Sequence, residues 1–145
     1  MSVILEVVCP RLLGPAVMVA AAMIVKGYGD VGDGFSAGVV VALAVALRYV
    51  TMGAERAERS LPALRFAPAV AISGLLFALA IGFFPVILGE PPVTHYPRAG
   101  DPVVEIGTLE LTTAVAFDVG VFLLVAGSLV EVIHQLTRLV EGPRR

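Results

Sequence analysis

No charged side chain interrupts residues 66–88, which read FAPAVAISGLLFALAIGFFPVIL. An α-helix rises about 1.5 Å per residue, so this run is long enough to cross the roughly 30 Å hydrocarbon core of a bilayer. An uninterrupted apolar run of this length is typical of a transmembrane segment. The stretch therefore predicts a membrane-spanning helix.

The composition of the whole chain agrees with a membrane protein. Its 145 residues are 58% hydrophobic and 15% charged, and the mean hydropathy is +0.94. Soluble domains have about 25% charged and roughly 45–50% apolar residues. Ten Lys and Arg against twelve Asp and Glu give a net charge of −2, so we expect no nucleic-acid partner. The single cysteine, Cys9, excludes a disulfide scaffold.

Three further apolar runs bring the number of expected spans to four. We predict an all-α integral membrane protein with one membrane domain over residues 1–145 and spans near 3–26, 34–52, 66–88 and 109–136. The charged segment 53–65 reads either as a helical extension or as a solvated hairpin, because Glu55 and Arg59 stand at i,i+4. Residues 89–110, which contain four prolines, are expected to form the longest loop.

The basic residues predict the orientation of the four spans. With four spans, both termini and the 53–65 segment share one side of the membrane. That side holds eight of the ten basic residues: Arg11, Arg48, Arg56, Arg59, Arg65, Arg138, Arg144 and Arg145. The other side has Lys26 and Arg98. Because Lys and Arg accumulate in cytoplasmic segments, both termini are expected in the cytoplasm.

The fourth span carries polar residues that are rare in membrane helices. Asp118 lies inside it, where a carboxylate costs about 2.5–3.5 kcal/mol on insertion. Glu131 and His134 share one helix face near its end, and Arg138 follows at i+4 from His134. We predict Asp118, Glu131 and His134 as candidates for an ion pathway. Two structural readings stay open: Asp118 as a hydrogen-bonded acid near the interface, and the other two as side chains that reach the headgroups.

Glycines cluster between the first and second spans, where residues 26–34 read KGYGDVGDG. The G-x-G-x-x-G within them is no nucleotide site, because that fingerprint needs a βαβ unit. Gly34 and Gly38 form a G-x-x-x-G motif, and small residues at this spacing let helix backbones approach closely. We predict a helix-packing motif of Gly32, Gly34, Phe35 and Gly38.

The sequence offers little for enzymatic chemistry. Cys9 has no second cysteine, and the chain has two histidines, so no metal site is expected. No serine or cysteine stands beside a base that would activate it. We therefore expect no enzyme and no bound cofactor.

Several of these motifs together resemble the MnhB/MrpB subunit family of Mrp-type multisubunit Na+/H+ antiporters. Residues 11–15, RLLGP, are similar to the opening of the family's first helix, and residues 32–38, GDGFSAG, to its glycine-rich entry into the second. Residues 117–121, FDVGV, resemble a motif of its last helix. Asp33 and Ala37 replace glycines of the family pattern, and Val31 replaces a proline.

The resemblance implies a small non-enzymatic subunit of a complex in the cytoplasmic membrane that exchanges Na+ for H+. Its partners would be the other membrane subunits of an Mrp-type complex, within the lipid bilayer. Two roles within such a complex stay open. In the first, Asp118 lines an ion passage. In the second, the chain is purely structural, and its glycine-rich second span holds neighbouring subunits together. Two further functions stay open: the related subunit of a membrane-bound hydrogenase or other respiratory complex, and a stand-alone four-helix homodimeric transporter.

Overall fold

The computed structural model describes residues 3–26, 33–98, 100–102, 104–106 and 109–141. In chain order the elements are α1 (Val3–Lys26), α2 (Asp33–Met52), α3 (Ala54–Ser60), a 3₁₀ helix (Pro62–Phe66), α4 (Ala67–Ile87), β1 (Val104–Ile106), β2 (Leu109–Leu111) and α5 (Thr113–Glu141). Within the described part of the chain, the four helices α1, α2, α4 and α5 are long and apolar enough to cross a membrane, α4 together with the 3₁₀ helix. The expected helical membrane fold is therefore confirmed, with one small β-hairpin added.

Helix α5 lies in the middle of the molecule, because α2 packs on one side of it and α4 on the other. Helix α1 packs on α2 and hardly touches α5, so the lateral order is α1–α2–α5–α4. The two outer helices expose broad apolar faces, on which Met18 of α1 is 74% exposed and Leu76 of α4 is 61% exposed. In a membrane such faces meet lipid or neighbouring subunits.

The pair α4–α5 is packed through small residues. A Cβ atom placed on Gly74 of α4 would lie 2.4 Å from the backbone nitrogen of Leu124, which is closer than real Cβ contacts come. A Cβ on Gly120 of α5 would lie 2.9 Å from the backbone nitrogen of Ala78. The two backbones are thus in direct contact. Lipid tails are as apolar as leucine, so dispersion contacts of this kind, and not the hydrophobic effect, hold membrane helices together.

The glycines at the start of α2 make the corresponding contact on the other side of α5. A Cβ on Gly38 would lie 2.9 Å from Val125 Cβ, and a Cβ on Gly34 would lie 2.2 Å from the carbonyl oxygen of Asp118. Phe35 is 57% exposed and points away from these contacts. Gly32, the fourth member of the predicted motif, lies outside the described residues.

One end of the bundle, which we call the hairpin end, carries the antiparallel strands β1 and β2. Val104 pairs with Leu111 and Ile106 with Leu109. The predicted fourth span was wrong at its start, because residues 109–111 form β2 and the helix begins at Thr113. The sequence contained a signal for this hairpin: VEI and LEL alternate in polarity around Gly107 and Thr108, a spacing typical of a two-residue turn.

The opposite end, which we call the α3 end, carries the charged connection between α2 and α4. Of the two readings of residues 53–65, the helical one is correct: α3 forms, with an ion pair between Glu55 and Arg59. Gly53 separates α2 from α3 at φ 76°, a left-handed conformation that glycine adopts at little cost. This turn lays α3 across the end of the bundle, where Ala57 is fully buried.

The close contact at Gly74 can be tested with one methyl group. Gly74→Ala should destabilise the chain by about 1–3 kcal/mol, because the added methyl meets backbone atoms of α5 and forces the helices apart. Gly14→Ala is the matched control, since nothing lies within 4 Å of its added Cβ. There, the better helix propensity of alanine should leave stability unchanged or raised by up to about 1 kcal/mol. Thermal unfolding of both variants in detergent measures the difference, and equal midpoints would contradict the packing described.

Candidate functional site

The polar residues of the membrane helices gather at the two ends of α5. Asp118 stands near the hairpin end, while Glu131 and His134 stand near the α3 end. The rise of an α-helix places Asp118 about 24 Å from His134 along the axis. The sequence-predicted candidates therefore belong to two separate groups.

Asp118 contacts the start of α2. It is the sixth residue of α5, about 7.5 Å from the first, so it lies in the outer part of the span and not at its centre. Its carboxylate is close enough to the Gly34 amide, in the first turn of α2, to be stabilised by it. Asp33 and His95 are also close enough to act on it electrostatically. A helix N-terminus favours a negative partner, which explains how this acid is accommodated.

The loop before α5 is tied to the beginning of that helix. Thr112 caps α5 by accepting a bond from the Val115 amide at 3.3 Å. The Thr113 amide donates to the Tyr96 carbonyl at 2.8 Å, and the Tyr96 amide donates to Thr113 Oγ1 at 2.7 Å. These bonds hold His95, whose ring meets Phe117 edge-on at 6.5 Å, over the hairpin end.

Arg98 lies in the same loop but is bound to Glu90. The Glu90 carboxylate accepts a hydrogen bond from the Arg98 guanidinium, and this bond raises the pKa of Arg98 above its ordinary value. Arg98 therefore stays charged and paired with Glu90. Arg98 is accordingly engaged by Glu90 and does not serve as the counter-ion of Asp118.

At the α3 end, side chains from three helices converge on His134. Its Nδ1 lies 3.0 Å from the Tyr49 hydroxyl of α2 and 3.0 Å from Glu58 Oε1 of α3. The other oxygen of Glu58 lies 3.3 Å from Arg138 Nη2. The His134 side chain is 16% exposed and that of Glu58 is 29% exposed, so both are partly enclosed. The consecutive helices α2 and α3 and the distant helix α5 thus form one polar cluster.

This cluster opens into a polar cleft of about 520 Å³. Glu131 also lines the cleft and accepts a hydrogen bond from Gln135 at 2.6 Å. The remaining polar and charged residues of the wall are Glu55, Glu58, Arg59, Arg65, His134 and Arg138. A cleft that holds carboxylates and an imidazole can exchange protons with water. Among the described residues, no three His, Cys, Asp or Glu side chains are grouped so as to hold a metal ion.

Within the part of the chain that the structure describes, no polar route joins the two groups. Residues 119–130 of α5 read VGVFLLVAGSLV, in which Ser128 is the one polar side chain. At Gly38 and Gly120 the neighbouring helices leave no room for a methyl group, and hence none for water at those contacts. A groove of about 230 Å³ beside this stretch is lined by apolar side chains, among them Val45, Val70 and Val130. The middle of the described bundle therefore offers ions no path.

Two members of the site could not be seen in the sequence. In the sequence, Glu58 is one of several charges in segment 53–65, and Tyr49 stands near the end of the second apolar run. Only the fold brings them to His134, across separations of more than 70 residues. Nothing local in the sequence signals such a contact.

Comparison with known proteins places the chain in a family. The sequence pattern of the family described as "Domain related to MnhB subunit of Na+/H+ antiporter" matches residues 4–131. The chain belongs to this family. With four helices that can cross a bilayer, it is a multi-pass protein of the cell membrane.

Three relatives bear names that concern antiport. The chain is 34% identical to the Na(+)/H(+) antiporter B subunit of Alkalihalophilus pseudofirmus over 70% of its own length and 68% of the relative's. It is 30% identical to the Na(+)/H(+) antiporter B subunit of Bacillus subtilis, over 79% and 78% of the two chains. It is 36% identical to a probable K(+)/H(+) antiporter A/B subunit of Rhizobium meliloti over 88% of this chain. In that case the matched part is 12% of the relative's length.

Thiol labelling tests the arrangement of polar ends around an apolar middle. In a Cys9→Ala background, Glu131→Cys should react with a membrane-impermeant maleimide, because position 131 lines the cleft. Val125→Cys should not react, because Val125 packs against Gly38 in the middle of the bundle.

The labelling needs a control for sidedness. Asp101→Cys, in the exposed loop of the hairpin end, should react only from the side opposite to the one that labels position 131. Reaction of Val125→Cys at a rate comparable to Glu131→Cys would contradict the closed middle.

Proposed function

We propose that this chain is a small subunit of a multisubunit monovalent cation/proton antiporter that exchanges Na+ for H+. The observation that carries the proposal is the family match over residues 4–131, together with relatives named as B subunits of such antiporters. The proposed partners are the other membrane subunits of the complex, and the transported ions are Na+ and H+. One relative is named for K+, so K+ is the second cation to test.

The geometry supports a chain that works as one subunit of a complex, and it does not support a transporter that works alone. An antiporter needs ion-binding groups that both sides of the membrane reach in turn. Here the acid at the hairpin end and the cluster at the α3 end are about 20 Å apart or more, with apolar packing between them. A continuous path therefore requires polar groups from a neighbouring subunit. The exposed apolar faces of α1 and α4 are the surfaces on which such neighbours would pack.

We further propose an orientation with the α3 end in the cytoplasm. The described basic residues at that end include Arg48, Arg56, Arg59, Arg65 and Arg138. Those at the hairpin end include Lys26 and Arg98. This imbalance follows the positive-inside rule. Asp118 would then serve the outer half of an ion path shared with a partner, and Glu131 with His134 the cytoplasmic half.

One purification distinguishes the proposed function from two other assignments, a subunit of a hydrogenase or respiratory complex and a stand-alone transporter. The tagged chain is isolated in mild detergent, and the proteins that come with it are identified by mass spectrometry. Large antiporter-like membrane subunits without redox proteins would support the proposal. The same subunits with iron–sulfur or nickel proteins would assign the chain to a hydrogenase or respiratory complex. A bare homo-oligomer that exchanges ions in liposomes would make it a stand-alone transporter.

The role of Asp118 is tested by Asp118→Asn in the assembled complex. Asparagine keeps the size of the side chain and an oxygen that can face the Gly34 amide, but it carries no charge with which to bind a proton or a cation. We expect the complex to assemble in normal amount and Na+/H+ exchange to be lost, as measured with a pH-sensitive dye in everted membrane vesicles.

Asp101→Asn is the matched control, because that acid lies in the exposed loop of the same end. Its exchange rate should equal that of the unchanged protein. Normal exchange in Asp118→Asn would refute the ionic role and leave this acid as a structural acceptor for the α2 amide.

A further inference from the structure

Glu58 carries an inference about how the α3 end works. It belongs to α3, a short helix outside the membrane spans, and no pattern in the sequence connects it with His134. We propose that Glu58 is a positioning residue: it holds the proton of the neutral His134 ring on Nδ1, so that Nε2 is the nitrogen that exchanges protons with the cleft. This inference rests on the cytoplasmic half of the proposed function and names the residue that prepares it.

The geometry around Nδ1 presents a choice between two partners. The Tyr49 hydroxyl and Glu58 Oε1 both lie 3.0 Å from this nitrogen. A neutral imidazole nitrogen is either a donor or an acceptor, and the other ring nitrogen then takes the opposite role. If Tyr49 donates its proton to Nδ1, then Nδ1 cannot donate to Glu58. If Nδ1 carries the proton, it can donate to the carboxylate.

The surroundings of Glu58 decide between these arrangements. Oε1 is shielded from solvent and makes no hydrogen bond to any described residue, although His134 Nδ1 lies 3.0 Å from it, while Oε2 is bound by Arg138 at 3.3 Å. An enclosed carboxylate oxygen without a donor is strongly unfavourable, whereas a tyrosine oxygen can share the same N–H as a second acceptor. Nδ1 can supply the donor that Oε1 lacks only when it carries the ring proton.

The consequence concerns the opposite edge of the ring. With Nδ1 protonated, Nε2 has a free lone pair, and His134 lines the cleft. A hydronium ion can transfer its proton to Nε2 and leave as water, and the reverse step restores the neutral ring. The charged and titratable groups facing His134 are Tyr49 of α2, Glu58 of α3, and Glu131 and Arg138 of α5, with Glu55, Arg59 and Arg65 around the cleft. Glu58 is the carboxylate in contact with the imidazolium that forms.

The tautomer is measured by ¹⁵N NMR of the full chain in lipid bilayers, labelled with [¹⁵N]histidine. The chain has two histidines, so a His95→Gln background leaves His134 as the single signal. At a pH where the ring is neutral, we expect Nδ1 to be protonated and Nε2 to be bare. Tyr49→Phe should keep this tautomer, because the phenol is not the group that sets it. Glu58→Ala should move the proton to Nε2.

The functional consequence is measured on the assembled complex in everted vesicles. Glu58→Ala should slow Na+/H+ exchange about tenfold at normal complex abundance, the scale of effect typical of groups that orient a functional histidine. Arg56→Ala is the matched control, because Arg56 lies exposed on the same short helix and is not among the residues that line the cleft. It should leave exchange unchanged. His134→Gln should stop exchange.

The outcomes separate this inference from the proposed function. Protonated Nε2 in the unchanged protein, or an unchanged tautomer in Glu58→Ala, would overturn the positioning role. The proposed function would still stand if His134→Gln stopped exchange. If instead the tautomer moved as expected while both Glu58→Ala and His134→Gln exchanged ions normally, the cytoplasmic half of the proposed function would fall, and this inference with it.

Discussion

The whole arrangement depends on the close approach of α2 and α4 to α5. Within a bilayer, apolar side chains gain little by leaving lipid for protein, so helices associate where their backbones can touch. Gly38 of α2 and Gly74 of α4 provide such contacts on opposite sides of α5. Because both neighbours are held at backbone distance, α5 becomes the central helix. Asp118, Glu131 and His134 all stand on that central helix.

The same packing separates the polar groups into two ends. A helix that touches its neighbours through glycine and alanine has no internal space for water over the length of the contact. Asp118 is accommodated because it lies where this contact reaches the hairpin end, close to the Gly34 amide in the first turn of α2. His134 is accommodated because α3 folds across the opposite end and supplies Glu58. Tight packing in the middle and polar groups at the ends are thus two results of one constraint, and the described helices by themselves form no polar path between the two ends.

The sequence was sufficient for what depends on local properties. Residues 66–88 predict a span by length and apolarity alone, and Gly34 with Gly38 predicts a packing face by spacing. The α4 contact was missed because its small residues, Gly74 among them, are scattered within a run of large apolar residues that already read as a membrane helix. The hairpin was missed because four prolines made residues 89–110 read as an irregular loop. The alternation of VEI and LEL was nevertheless visible there.

The contact between Glu58 and His134 could not be predicted from local properties. It depends on two features of the fold, neither of which indicates the contact by itself. Gly53 turns the chain at the end of α2, and the regular helix α5 brings His134 to the same level. Arg138, one helical turn further on, then binds the carboxylate that the turn delivers. Arg138 also belongs to the basic residues that predict the cytoplasmic side. A residue counted for topology therefore has a second role as the counter-ion of Glu58. One of the basic residues that predict the orientation of the protein is in this way also part of its polar cluster.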